Sequence, residues 1–398
     1  MQRNLARLAI LLPFALATTA RSQQPVSRAE AVATAVSRGA RAAVARADTL
    51  VGTAQLTTAR AWENPSLAAN YSKSTPHYHA VVDLPLDITG ARGARVRSAE
   101  ASRLASQYRF QFERAAAALD ADTTYTRALA ALERVRLSRR TAHDADSLRK
   151  MAAIRRNAGD ASELDVLLAT VNAGQAANLA ASDSLTLISS LFDLQAVMGL
   201  DTSRIAVTPS DTLGVPPVGP LDGAAVPLPI AAAQQALTSA DLSVRAQRRS
   251  IFTPFSVQAG VEFGDPGEPG ILPTLGFSIP LPLLNRNRGP IAQAQAERER
   301  ARAELSLAQY ETRAAVGRAR RQLTVAMEKI QRDRALIESA NRIASMSLTA
   351  YREGAQGLPA VLEAQRNARD ILSQYVSDLA DAWISSATLR LYTMTVAP

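Results

Sequence analysis

The 398-residue chain is 47% hydrophobic but only 5% aromatic, so alanine, leucine and valine supply most of its apolar surface, which favours slim close-packed helices over a thick core. It has no cysteine, which excludes disulfides, thiol nucleophiles, thiolate metal sites and a lipid carried on an N-terminal cysteine. The formal charge of +9 comes from arginines scattered among acids, with lysine only at Lys73, Lys150 and Lys329, and no basic cluster interleaves with aromatics, so nucleic acid is not an expected partner.

The chain begins with Arg3 and Arg7, an apolar run from Leu8 to Ala17, and small residues ending in Ala20-Arg21-Ser22. This is the build of a secretory signal peptide over residues 1–22. The run is too short to span a bilayer as a helix, and no later stretch reaches about 18 consecutive apolar residues. Contact with a membrane would therefore use strands or an amphipathic surface.

From about Ser27 to Trp62 a helical lead-in is expected, followed by two alternating segments, Ser66 to Ser72 and Tyr78 to Leu86. Leu67, Ala69, Tyr71, Tyr78, Ala80, Val82 and Leu84 share their apolar face. A helical run then extends from about Arg92 to Asn157 without proline and with no glycine past Gly93, breaks at Gly159, and resumes after Ser162. At about 1.5 Å per residue such a run makes a rod of roughly 100 Å. No compact domain encloses that length, so the rod must pack lengthwise against others. Ser162 is placed to cap the next helix, with Glu163 and Asp165 in its first turn.

Asp201 to Pro229 is rich in proline and glycine and reads as a connection that lies against the outside of the helices. A second lead-in, from about Pro229 to Ile251, opens the second half. There "FSVQAGVEF" alternates without a fault, and "ILPTLGFSIPL" returns after "GDPGEPG" with Leu275, Phe277, Ile279 and Leu281 on one face. The helical run from Ile291 to Glu353 precedes a second break at Gly354.

The halves match in register. Gly159 falls on Gly354 at an offset of 195, and the same offset sets Leu84-Pro85-Leu86 on Ile279-Pro280-Leu281 and Val166-Leu167 on Val361-Leu362. The expected organisation is a signal peptide (1–22), a first repeat (23–200, hairpin 65–88, tip near 159), a linker (201–229), and a second repeat (230–398, hairpin 254–284, tip near 354). The strands are the right length for a tilted transmembrane strand, but four cannot close in lipid, where unpaired edge groups are costly. Three copies would bring twelve strands.

The order and duplication of "ENPSLAANYS", "LPLDITGARGARVRSAEA", "IPLPLLNRNRGPIAQAQAE", "RRNAGDASELDVLLA" and "YREGAQGLPAVLEAQ" resemble the TolC-type outer membrane efflux protein family across essentially the whole mature chain. "PLPLLNRNRG" is most similar to the heavy-metal branch, the partners of cobalt-zinc-cadmium and copper-silver pumps. The resemblance implies a mainly α fold with a small β part. It also implies a homotrimer with a twelve-stranded barrel in the outer-membrane lipid that continues into a long periplasmic helical tunnel. Its partners would be a periplasmic adaptor and an inner-membrane resistance-nodulation-division transporter. It would be a passive duct without cofactors, not an enzyme.

The same resemblance assigns Pro85, Gly90, Gly93, Pro280, Asn285 and Gly289 to the bend from barrel to tunnel. It assigns Gly159, Asp160, Ser162, Gly354 and Gly357 to the tips where the adaptor docks. Family members close the inner end with carboxylates six and nine residues beyond a tip glycine. Those positions here hold Asp165 and Leu168, then Ala360 and Glu363, so one acid remains at each tip, as gate residues Asp165 and Glu363.

Other signals are weaker. His77 and His79 flank Tyr78 and would share a strand face, yet two ligands do not complete a metal site. No GxGxxG, P-loop, GxSxG or HExxH occurs. Drug efflux and type I protein secretion remain alternative tasks for a duct, and a soluble periplasmic coiled-coil adaptor is the alternative from another class.

Overall fold

Two helical hairpins of unusual length run side by side and share a small antiparallel sheet at one end. The computed structural model describes residues 24–217, 226–252 and 254–395. The expected signal peptide, and part of the linker, lie outside the described residues. The described residues start with β1 (Gln24–Val26), α1 (Arg28–Arg38) and α2 (Ala40–Arg60), so the first lead-in is two helices, with extended backbone at Gly39 between them.

Strands β2 (Ser66–Tyr71) and β3 (Tyr78–Leu86) lead into α3 (Ala91–Asn157), and α4 (Glu163–Val197) returns along it. After β4 (Val207–Pro209) and α5 (Leu228–Arg249), the second half repeats the plan with β5 (Phe255–Phe263), β6 (Ile271–Ser278), α6 (Arg288–Arg352) and α7 (Leu358–Thr393). With 67 and 65 residues, α3 and α6 each extend about 100 Å. Among the described residues no helix is long and apolar enough to cross a membrane.

The two β-hairpins join into one sheet of order β2-β3-β5-β6, antiparallel throughout, because β3 pairs with β5 across the repeats. The register aligns Leu67, Val82, Ala259 and Leu275 in one row, and Tyr71, Tyr78, Phe263 and Ile271 in another, so every strand turns its apolar residues to the same side. That side is bare. Leu275 is 87% exposed and Phe277 71%. The opposite side carries Asp83, Gln258, His79 and Glu262. Pro85 sits in β3 beyond the last residue paired to β2, where its missing N–H leaves no partner unsatisfied on that side.

The return strand is shorter than the sequence alternation implies. β6 ends at Ser278, and Ile279 to Leu284 continue as an exposed segment. Pro280 and Pro282 there have no N–H to give a neighbouring strand. His77 also departs from expectation: it lies in the turn before β3, where Nδ1 is 3.1 Å from the Ser72 carbonyl, so it does not share a strand face with His79.

Alanines dominate the helix contacts, with Tyr125, Leu129 and Leu194 closing the first core and Leu323, Ile330 and Leu379 the second. The connection after α4 ties the two. β4 pairs parallel with β1, Leu213 packs against both cores, and the Trp383 indole donates to the Gly214 carbonyl at 2.7 Å. Gln195, fully buried, holds the start of this strap by donating to the carbonyls of Asp201 and Arg204 (2.7 and 2.8 Å) and accepting from Ala206 N–H (2.8 Å). Asp122 lies beneath it, bonded by Arg28 from α1 and by Arg390 from α7 at 2.9 Å.

Candidate functional site

Three regions concern passage through such a structure: the sheet, the bends where strands become helices, and the far tips. At the sheet's outer end Tyr71, Tyr78 and Phe263 lie in series, the first two rings tilted with centroids 5.4 Å apart and the last two stacked at 5.0 Å. An apolar belt edged by aromatic rings is the surface a transmembrane strand presents to lipid. A nine-residue strand of about 3.3 Å per residue is about 30 Å long and, tilted by about 40°, spans roughly 23 Å, close to the apolar band of about 25 Å that outer-membrane barrels present. On the polar side His79 Nδ1 is 3.2 Å from Glu262 Oε1. Among the described residues no three potential metal ligands converge.

Both bends rest on the end of α5. Gly90, with φ +69°, caps α3; its carbonyl accepts from Arg249 at 3.3 Å, and Asp87 accepts from the N–H groups of Ala91 and Arg92 at 3.0 and 2.9 Å. In the second half the left-handed residue is Asn287, with φ 57°. It lies two residues past Asn285, whose side chain accepts from Asn287 N–H at 3.0 Å. Asn287 Nδ2 in turn donates to Gln247 O and Ser250 Oγ at 2.7 and 3.0 Å. Pro280 lies just past β6, while Gly93 and Gly289 fall inside the first helical turns with open space around them. The offset of 195 would start the second long helix at residue 286; α6 starts at 288, and the extra two residues enlarge this bend.

The tips are matched turns. Gly159 and Gly354 take φ +86° and +77°, and in each turn the residue after the glycine donates back five residues to close the helix: Asp160 to the Arg155 carbonyl and Ala355 to the Ala350 carbonyl, both at 2.8 Å. The next helices start differently. Ser162 and Asp165 form a reciprocal capping box, with bonds of 3.1 Å in each direction. Gly357 offers no side chain, and Leu358 and Pro359 begin α7 instead.

Arg155 joins the two tips, a role its place in the sequence did not disclose. Its guanidinium bonds the Tyr351 carbonyl, lies 4.7 Å from the centroid of that ring, and reaches the Asp160 carbonyl at 3.4 Å. Beneath it Leu148, Ala152, Ala169, Tyr351, Leu358 and Val361 pack in one core drawn from all four helices. Of the two expected gate acids, Asp165 is held by its cap, whereas Glu363 is exposed, with Asn367 at 3.4 Å its nearest polar partner.

An outward apolar sheet that continues into paired helical hairpins defines a membrane channel of the strand-and-tunnel kind. The outer membrane efflux protein family profile matches residues 32–200 and 228–393, and the chain belongs to that family, whose members are outer-membrane efflux channels. No curated protein sequence matches the chain. Among solved structures, a membrane protein from Pseudomonas aeruginosa is 20% identical with a TM-score of 0.76, over 92% of this chain and 93% of that one. The CmeC outer membrane channel of Campylobacter jejuni gives 15% and 0.77, over 92% and 85%. CusC, described in connection with transmembrane channel formation, gives 14% and 0.76 over 99% of both chains. These likenesses establish the fold.

Proposed function

We propose that three copies of this chain form an outer-membrane duct that exports heavy-metal cations delivered by an inner-membrane resistance-nodulation-division transporter through a periplasmic adaptor. The observation that carries the duct is the sheet. It has four strands, an apolar belt on one side, and free edges at β2 and β6. In lipid those edges must be paired, and β6 of one copy can meet β2 of the next in antiparallel fashion. Three times four gives twelve strands, within the range of closed outer-membrane barrels. The helices support the same assembly, because Leu164, Leu167, Val171 and Leu185 on α4 and Leu336, Ile343 and Met346 on α6 are exposed in a single chain.

The metal reading rests on "PLPLLNRNRG" at the second bend and on the acids beyond the tip glycines. Carboxylates repeated threefold around a mouth favour cations. Gly159, Asp160, Ser162, Gly354 and Gly357 lie at the end away from the sheet, where an adaptor would dock, with Arg155 bracing one tip against the other. The test is a deletion strain complemented with the gene and challenged with copper, silver, zinc, cobalt and cadmium beside a panel of drugs and dyes. Sensitivity of the uncomplemented strain to metals alone, relieved by the gene, and a heat-sensitive trimer in the outer-membrane fraction, are expected. Restored resistance to drugs but not metals would reject the cargo, and absence of the protein from the outer membrane would reject the duct.

A further inference from the structure

Midway along the second hairpin, two carboxylates are buried together between α6 and α7. Asp333 is 9% exposed and Asp378 2%. Asp378 Oδ1 accepts from Lys329 Nζ at 3.1 Å and from Gln374 Nε2 at 3.0 Å. Yet Oδ2 of Asp378 and Oδ2 of Asp333 are both buried without a partner. A buried acceptor left unpaired is costly, and a buried charge left unpaired more so.

Among the described residues, none of the cations around the pair bonds Asp333. Lys329 and Arg332 lie on Asp333's own helix, and Lys329 is already committed to Asp378. Arg334 turns to the Tyr375 hydroxyl at 3.3 Å. From α3, Arg134 donates to Ser377 at 2.6 Å, beside Asp378 but not to it. Burial first, and the adjoining Asp378 carboxylate second, push Asp333 above the usual carboxylate range.

A single proton resolves both defects, since a carboxyl O–H on Asp333 pointing to Asp378 turns two orphan acceptors into one hydrogen bond. We infer that Asp333 is protonated and donates to Asp378, which makes the α6–α7 seam a proton-operated clasp that is tight in acid and loosens in base. The sign follows from linkage. The native group holds its proton more firmly than the unfolded one, so its stabilisation is complete below the unfolded carboxylate value of about 3.9 and is lost as pH rises through the raised native value. The clasp lies between the two helices of one hairpin, and it acts whatever the cargo is.

The test is thermal unfolding of the purified full-length protein from about pH 5 to about pH 9, comparing wild type with Asp333→Asn. The asparagine amide donates to Asp378 without needing a proton. The variant should melt with wild type in acid and several degrees above it in base. Parallel profiles would overturn the inference. So would recovery of the wild-type loss on adding magnesium or calcium, which would put a cation where we place the proton. Should Asp333→Asn fail to fold, Asp378→Asn serves: with the adjoining carboxylate gone and burial left as the cause, its slope in this window should be shallower than that of wild type, and a slope as steep as wild type's would overturn the inference equally.

Discussion

Replacing the tip glycines tests the tip turns where the structure is most explicit. At Gly159 an added Cβ meets nothing within 4 Å, and at Gly354 it meets only Arg155 Nη2 at 3.5 Å, an ordinary contact. Sterics with neighbours therefore contribute almost nothing, and the whole penalty is the left-handed backbone at φ +86° and +77°. That penalty is about 1–2 kcal/mol for a side chain with a Cβ, and asparagine is the residue that best escapes it. Against a stability of about 5–15 kcal/mol for an ordinary domain, the chain still folds. The turn can relieve its strain by giving up its closing hydrogen bond, and Arg155 loses its seat when it does. Efflux and adaptor crosslinking should fall in the order asparagine, alanine, valine at either position, while trimers on a gel and the bulk melting temperature change little. Asparagine as harmful as valine, or valine as active as glycine, would refute the backbone account.

Two other substitutions probe the ends of the structure that matter most for insertion and closure. Leu275→Lys puts a charge in the middle of the apolar belt, at a cost of about 2–4 kcal/mol near the bilayer midplane, and should deplete the outer-membrane fraction on a blot, while Gln258→Lys on the polar face should not. Equal depletion by both would mean that the faces are assigned the wrong way round. Gln195→Ala strands the carbonyls of Asp201 and Arg204 and the N–H of Ala206, so denaturant unfolding should show a loss of about 3 kcal/mol or more. A change within experimental error would show that the strap is held by its apolar contacts instead.

The periodic parts of the molecule were legible in the sequence. Strict alternation located β3 and β5, since period two is read without knowing the partner strand. The long helices were legible because no proline or glycine falls between residues 94 and 157; α3 begins one residue before the expected Arg92 start, and α6 begins three before the Ile291 start. Pairings distant in sequence were not. β1 and β4 are three residues each, too short to show alternation, and their partnership spans more than 180 positions. The break at Gly39 was invisible because the residues on both sides favour helix, and Gln195 reads as one more polar residue until its three backbone partners are in view.

Near the tips, the sequence shows which residues are present but not how each is used. Asp165 and Glu363 enter on equal terms as acids a few residues beyond a turn, yet Asp165 stands at the third position of its helix behind a serine, and that spacing closes a capping box. Its carboxylate accepts from both the backbone N–H and the hydroxyl of Ser162, so it must break the cap before serving any passing ion as a free ligand. Glu363 is six residues into α7, past the N-terminal turn, and only a 3.4 Å contact with Asn367 restrains it. If the two form rings in a trimer, the Glu363 ring is the one whose charge can turn toward the lumen without loss of helix stability. Glu363→Gln should therefore alter cation selectivity in a planar bilayer at unchanged stability, and Asp165→Asn should lower stability first. The reverse pattern would assign the cap and the mouth to opposite tips.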